Sequence, residues 1–354
     1  MLLDYKYYNK LGWNKNPFVL SVLPDLMVGY ASQADLLLSH IMNQHKIALV
    51  IGPTGSGKTT FLNWTMKTVR NNDLSLYYVP KPPTKKEDMI DLFKFIFGYS
   101  VIDNIFFPHL NILNIQKYLL NKISKKNVIL LIDESHESSV EVLEWFRTLS
   151  DIIPNLTLVF AGLPILEKKL ETDLPTLMMR INTRVYLQSL NVTETDSLIR
   201  KRIENAGGKG LEPFSPECIN KIHNITGGFP REIIKICDDL LRESVKRNIS
   251  IITSQFIDEV YKTSIPSEMA QSKILITSKQ KEILELLNKQ TDLSPTDIVN
   301  VIGIESYKTK YHAIRSVNNI LKRLMDDDII KRKQLGNSYV YYLSGKGKTL
   351  FVDA

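Results

Sequence analysis

Cysteine is almost missing from this chain: Cys218 and Cys237 are the two in 354 residues, far apart and without neighbours in metal-ligand spacing. That excludes a disulfide framework and gives no zinc site, and the simplest setting is a reducing, intracellular one. Long apolar runs are missing as well. No stretch approaches the roughly 18 uninterrupted apolar residues of a membrane-spanning helix, and Met1 to Lys10 carries Asp4, Lys6 and three tyrosines where a secretory leader has a basic head and an apolar core. The expectation is a cytoplasmic protein, nucleoid-associated if it binds DNA, with no membrane partner. Repeats and low-complexity linkers are also absent, so domain limits have to be read from changes of pattern.

What is present is an ordinary globular composition, 44% hydrophobic and 23% charged, with room for two or three domains of roughly 150 residues. Charge is uneven. Of 45 basic and 38 acidic residues, 14 and 9 lie between Lys273 and Ala354, leaving a surplus of +5 there out of a net +7. A polyanion-binding C-terminal region follows from that asymmetry.

Short apolar runs, Ile47 to Ile51, Leu76 to Val79, Val128 to Ile132, Leu156 to Ala161 and Val185 to Leu187, alternate with helical stretches through residue 190. This is the pattern of an α/β domain with a buried parallel sheet. Helices follow over residues 191–270, the first opening at a capping-box spacing from Thr193 to Asp196. A later one starts at Pro230, with Ile233, Ile234, Cys237, Leu240 and Leu241 on one face, so Cys237 reads as core. Residues 271–354 read as helices near Ser278 to Asn288, Ser294 to Val301 and Lys308 to Met325. Strands Ile329 to Lys333 and Tyr339 to Leu343 then flank Gly336-Asn337, which makes a winged helix-turn-helix domain.

Directly after the first strand, Gly52-Pro53-Thr54-Gly55-Ser56-Gly57-Lys58-Thr59 fits G-x-x-x-x-G-K-[ST] and leads through Thr60 into a helix. Such a loop turns backbone N–H groups around the phosphates of ATP or ADP, the helix adds its positive dipole end, Lys58 a charge, and the Thr59 hydroxyl a ligand for Mg2+. Val128 to Ile132 runs into Asp133-Glu134, so a second buried strand delivers two carboxylates to its end. Asp133 is placed to hold Mg2+, usually through water, and Glu134 to polarise the water that attacks the γ-phosphate. His136 is either a neighbour that helps position this water or simply a residue opening a helix.

With both motifs placed, the chain resembles AAA+ ATPases of the branch holding origin-recognition initiators, GspA/ExeA-type secretion ATPases and transposition regulators of the TnsC and TniB kind. The resemblance covers residues 10 to 250. It includes Gly12-Trp13-Asn14-Lys15-Asn16-Pro17-Phe18, Gly29-Tyr30 and the helical Gln33 to Asn43, a leading segment that in ExeA-type proteins packs near the adenine. It also includes Leu177-Met178-Met179-Arg180-Ile181 and Gly227-Gly228-Phe229-Pro230-Arg231. The resemblance implies a P-loop core over 1–190 and a helical lid over 191–270, and the pattern of residues 271–354 adds the winged helix. It makes Arg231 the arginine that reaches the nucleotide from the lid, and Arg180, with Arg184 second, the finger given to a neighbouring subunit, hence self-association. One departure stands out: family members carry a polar residue at the end of the fourth strand, where this chain has Ala161-Gly162-Leu163. Slow, switch-like ATP hydrolysis is the expectation.

For double-stranded DNA, the third C-terminal helix offers Lys308, Thr309, Lys310, His312 and Arg315, and the wing Lys331, Arg332 and Lys333. Asp326-Asp327-Asp328 opposes phosphate nearby. Lys81 to Lys86 is a second basic stretch that is either a DNA contact or a solvated loop, while Phe93 to Phe107 reads as core packing. The leading functional expectation is an initiator-type, ATP-switched DNA-binding protein. The alternative is a secretion-associated or transposition-regulating ATPase whose winged helix docks protein partners; the membrane span into which the secretion proteins normally continue is not expected here.

Overall fold

The structure, a computed structural model, describes Tyr8 and residues 11–107, 109–112, 114–123, 126–263, 278–290, 292–303, 310–326, 329–335 and 338–344. Two compact units emerge, Met1–Val260 and Tyr261–Ala354.

In the first unit, α1 (Ala31–Met42) precedes β1 (Ile47–Ile51), α2 (Lys58–Thr68) and β2 (Leu74–Val79); α3 (Asp88–Phe97), α4 (Val101–Phe106) and α5 (Ile115–Ile123) lead to β3 (Asn127–Ile132). A 3-10 turn (Ser135–Glu137), α6 (Val140–Ile152), β4 (Leu156–Gly162), α7 (Pro164–Asp173), α8 (Pro175–Met178) and β5 (Ile181–Tyr186) complete the sheet. The strands are all parallel, in the order β2-β3-β4-β1-β5.

Strands β1 and β4 are buried at every position and β3 at all but its first, because both faces of the sheet are covered; hence their unbroken apolar runs. Alternate residues feed two cores. Ile47, Leu49 and Ile51 join Leu130 and Leu158 on one face, while Ala48 and Val50 join Leu131 and Val159 on the other. The outer strands are longer than the apolar runs that announce them. In β5, Ile181, Thr183 and Val185 are buried while Asn182, Arg184 and Tyr186 face solvent, so an edge strand alternates and shows only part of itself as an apolar run.

Helices α9 (Val192–Asn205), α10 (Cys218–Thr226), α11 (Pro230–Lys246) and α12 (Ser254–Thr263) follow. The capping box expected at Thr193 to Asp196 falls two residues earlier. Asn191 caps Glu194 N and Glu194 Oε2 accepts from Asn191 N, because Asn191 is the last residue with extended backbone. Helix α11 begins at Pro230 with Ile233, Ile234, Cys237, Leu240 and Leu241 buried, and burial pushes the Cys237 thiol well up.

The second unit holds α13 (Ser278–Lys289), α14 (Pro295–Ile302), α15 (Lys310–Asp326), and an antiparallel hairpin of β6 (Ile330–Leu335) and β7 (Ser338–Leu343). Ser294 and Asp297 form a capping box on α14. Leu293 pairs antiparallel with Tyr341 beside the hairpin. Ile283, Leu287, Ile298, Val317, Leu321 and Leu343 share one core, so the helices and the hairpin fold as a body.

One expectation fails in part. Phe93 is buried and Phe97 and Phe107 pack against the core, but Phe95 is 87% and Phe106 74% exposed. Helix α3 has a single inward stripe, and Phe95 falls two residues past Phe93 on the opposite side.

Candidate functional site

The strand order decides which loops meet. With β4 between β1 and β3, and all strands parallel, the C-terminal ends of these three open on one edge, the place where open α/β sheets bind ligands. Gly52 N donates to Gly162 O at 3.2 Å, tying the glycine-rich loop to the end of β4. Gly55 (φ +81°) and Gly57 (φ +94°) hold left-handed backbone that ordinary residues resist, and α2 starts directly after Gly57.

Across that edge, Thr59 Oγ1 donates to Asp133 Oδ2 at 2.6 Å. Asp133 is 1% exposed and also accepts from Tyr78 Oη (3.1 Å) and Glu134 N (2.9 Å). Its partners are neutral donors, which satisfy lone pairs without neutralising the charge, so a divalent cation would gain much here. Burial and Asp133 together push the Tyr78 hydroxyl up to about 12. Lys58, 6% exposed, donates to Gly52 O (2.9 Å) and Pro53 O (3.2 Å). Burial draws its ammonium below the usual lysine range, Glu134 and Asp133 draw it back up, and Arg231 opposes them. An ammonium resting on two loop carbonyls is poised for a better acceptor, such as a phosphate oxygen.

Lys58 and Thr59 line a cavity of about 510 Å³ together with Thr54, Gly55, Gly57 and Thr60 of the loop and Glu134 and His136 of the opposite wall. Of the other loop residues, Ser56 is buried, and Gly52 and Pro53 take part through their carbonyls. Glu134 has left-handed backbone (φ 50°) that turns the chain sharply out of β3. Arg231 also lines the cavity: its N donates to Gly55 O at 3.3 Å, and a side chain added at Gly55 would stand 3.1 Å from Arg231 Cβ. The glycine therefore lets the first turn of α11 close on the loop.

Two further wall elements, Leu20 to Val22 and Arg202, carry no motif in the sequence. Leu20, Ser21 and Val22 line the cavity. Arg202 of α9, 5% exposed, donates to Pro17 O and Val19 O at 3.0 Å each, and burial pulls it down to about 10. Tyr30 Oη sits 2.9 Å from Ser56 O and 2.5 Å from Gln188 O. Arg202 lies in the same buried stripe as Leu198, Ile199 and Ile203, and a lone arginine on an apolar face was the available signal.

Arg180 and Arg184 do not line this cavity. Ile181 pairs with Ile47 and Tyr186 with Ile51, so Arg180 precedes the far end of the sheet, roughly 17 Å of strand from the loop edge. It pairs with Asp151 (2.9 Å) and donates to Thr176 O, while Arg184 lies 3.9 Å from Glu167. Arg180 therefore lies far from the loop edge of its own chain.

In the second unit, Lys308 and Thr309 lie outside the described residues, and Lys310 opens α15. His312, Arg315, Lys331, Arg332 and Lys333 are exposed. Arg332 stacks over the Tyr339 ring at 4.3 Å, and Lys333 pairs with Asp292 at 2.8 Å. In the other basic stretch Lys81 pairs with Glu137 and Lys86 with Glu141, so two of its three lysines are already engaged.

Comparison with known proteins agrees with this geometry. Residues 41–170 match the family described as an AAA domain. An uncharacterized HTH-type transcriptional regulator of Methanocaldococcus jannaschii is 25% identical over 337 residues, covering 84% of this chain and 80% of that protein. General secretion pathway protein A of Aeromonas hydrophila is 26% identical over 253 residues, 66% of this chain, but the chain spans 44% of that protein's length. Among solved structures, the ADP form of the Aeropyrum pernix ORC2 protein superposes with a TM-score of 0.67 at 13% identity, over 96% of this chain and 97% of that one. No helix among the described residues is long and apolar enough to cross a membrane.

Proposed function

We propose, from the premise that the chain is an AAA+ protein of the origin-recognition and GspA-like branch, that it is an ATP-driven switch that binds double-stranded DNA through its C-terminal unit. The observation that carries the nucleotide half is the 2.6 Å contact of Thr59 with Asp133 beneath a glycine cradle closed by Arg231. Loop N–H groups and Lys58 are placed to take the β- and γ-phosphates, and Thr59 and Asp133 would hold Mg2+, which would supply neutralising charge to the phosphoryl group. Glu134 accepts the proton of the attacking water. Arg231 brings a cation from the lid, and closing it on the loop couples nucleotide occupancy to the position of α11. Arg180, set on the far side of the sheet, acts on a neighbouring copy, so full activity needs self-association. Turnover is slow, because Ala161-Gly162-Leu163 give the water no polar side chain from β4.

For the DNA half, the support is a body of three helices and a hairpin, read as a winged helix over 271–354, with Arg315, Lys331 and Arg332 exposed, and a relative named as HTH-type. Replication initiation at an origin is the role this combination fits best. The match to general secretion pathway protein A favours a second reading, a partner-regulating ATPase whose C-terminal unit docks protein. Fluorescence anisotropy of the full chain on a random-sequence duplex, with ATP and Mg2+ over a salt series, separates the two. Affinity that falls steeply with salt and is lost in a Lys331→Ala, Arg332→Ala, Lys333→Ala variant supports the DNA reading; no binding at low salt moves the partner-docking reading to first place.

A further inference from the structure

Hydrolysis requires the attacking water to be held on two sides, and the wall that should provide the second side is apolar. Leu163 lines the cavity at the end of β4, and Ala161 is fully buried. Space at that end is filled instead by the turn after β3. A side chain added at Gly162 would stand 3.3 Å from His136 N and 2.8 Å from Leu166 Cδ2, so the glycine admits the turn's backbone.

The turn is held firmly. Ser135 Oγ, fully buried, donates to Ile132 O at 2.8 Å, and Lys169 Nζ of α7 donates to His136 O (3.2 Å) and Ser138 O (2.6 Å). On this clamped backbone the His136 ring joins Glu134 in the cavity wall. Its Nδ1 is buried without a hydrogen-bond partner, 3.4 Å from Glu134 Oε2, a separation that a small movement of Glu134 turns into a hydrogen bond. Nε2 is the ring nitrogen that does not face Glu134 Oε2 and so is the one available to a water.

We infer that His136 is the positioning residue for the attacking water, taking over from the turn after β3 part of the task that the end of β4 cannot perform. This rests on the nucleotide site proposed above. In the step it serves, the water oxygen forms a bond to the γ-phosphorus, and the bond from that phosphorus to the β–γ bridging oxygen breaks with its electron pair leaving on ADP. The water's proton passes to Glu134, while His136 Nε2 fixes the direction of the water and Nδ1 the Glu134 carboxylate.

The test measures phosphate release and binding of a fluorescent ATP analogue by the full chain with Mg2+, in His136→Ala, His136→Gln and His136→Asn. His136→Ala is expected to lower kcat by about 100-fold and leave analogue affinity unchanged. Gln places its amide near the Nε2 position and Asn near Nδ1, so Gln is expected to keep more of kcat than Asn. Wild-type kcat in His136→Ala, parallel loss of kcat and affinity in all three variants, or Asn outperforming Gln would overturn the role. So would a wild-type chain that binds the analogue without hydrolysing ATP, whereas one that binds no analogue overturns the nucleotide site itself.

Discussion

The loop edge of the first unit and the exposed basic residues of the second use charge in opposite ways. At the first, Asp133 and Lys58 are buried to 1% and 6% exposure and held by hydrogen bonds to the loop and its neighbours. At the second, Arg315, Lys331 and Arg332 stand in solvent. Phosphoryl transfer gains from groups already fixed and desolvated, because the protein then does not reorganise as charge develops. Binding a polyanion gains chiefly by releasing counterions, and solvated cations serve that purpose well. The two sites should therefore fail separately and by different amounts.

The sharpest break is Lys58→Ala, which removes the ammonium from the phosphate cradle. Nucleotide affinity should fall by about 100-fold or more, since a charge-assisted contact in a desolvated site is lost, while duplex affinity without nucleotide stays as in the wild type. Calorimetric titration with ATP and anisotropy on the same preparation measure both. Loss of both together would mean that the variant fails to fold or that the units are not separable.

Next in size is the acid sensitivity of the first unit. His40 is 1% exposed, sits 2.8 Å from Thr183 Oγ1 with its Nε2 unpartnered, and packs edge-on to His45. Burial, with His45 adding to it, lowers its pKa from 6.5 to about 4. Between these values the unfolded chain binds a proton that the folded one refuses, so stability is complete above about pH 6.5 and falls as pH drops toward 4. The contribution at stake is roughly 3 kcal/mol. His40→Gln should flatten the pH dependence of the thermal midpoint over that window, and an unchanged slope would remove His40 as its source.

How much of each region can be read without a structure follows the same division. The phosphate loop, Asp133 and Glu134 are legible because their chemistry fixes spacing along one strand and one turn. Arg231 was legible through its Gly-Gly-Phe-Pro setting. Arg202 was not, since what makes it part of the cavity wall is its bonding to carbonyls of Pro17 and Val19, contacts 185 and 183 residues away in sequence. Strand β5 was half visible because an edge strand alternates. Phe95 and Phe106 misled, because aromatic content says nothing about which side of a short helix meets the core. On the basic residues of the second unit no spacing is imposed, so composition gave a direction without a set of contacts. The pairing of Lys333 with Asp292 lay beyond it.

That pairing permits the finest comparison, within the hairpin itself. Lys331 and Lys333 are neighbours on β6, both exposed and of the same residue type, but Lys333 is held by a carboxylate at 2.8 Å. A lysine engaged with Asp292 must give up that partner to meet a phosphate, so it displaces fewer counterions on binding. Lys331→Ala should lower the slope of log affinity against log salt by about 1, the amount expected for one phosphate contact. Lys333→Ala should lower it by less, and Asp292→Asn should raise duplex affinity by freeing Lys333. Equal slopes for the two lysine variants would show that the exposed ion pair is worth too little in water to matter, and the charge of the hairpin would then act as a sum, whatever the pairing of its members.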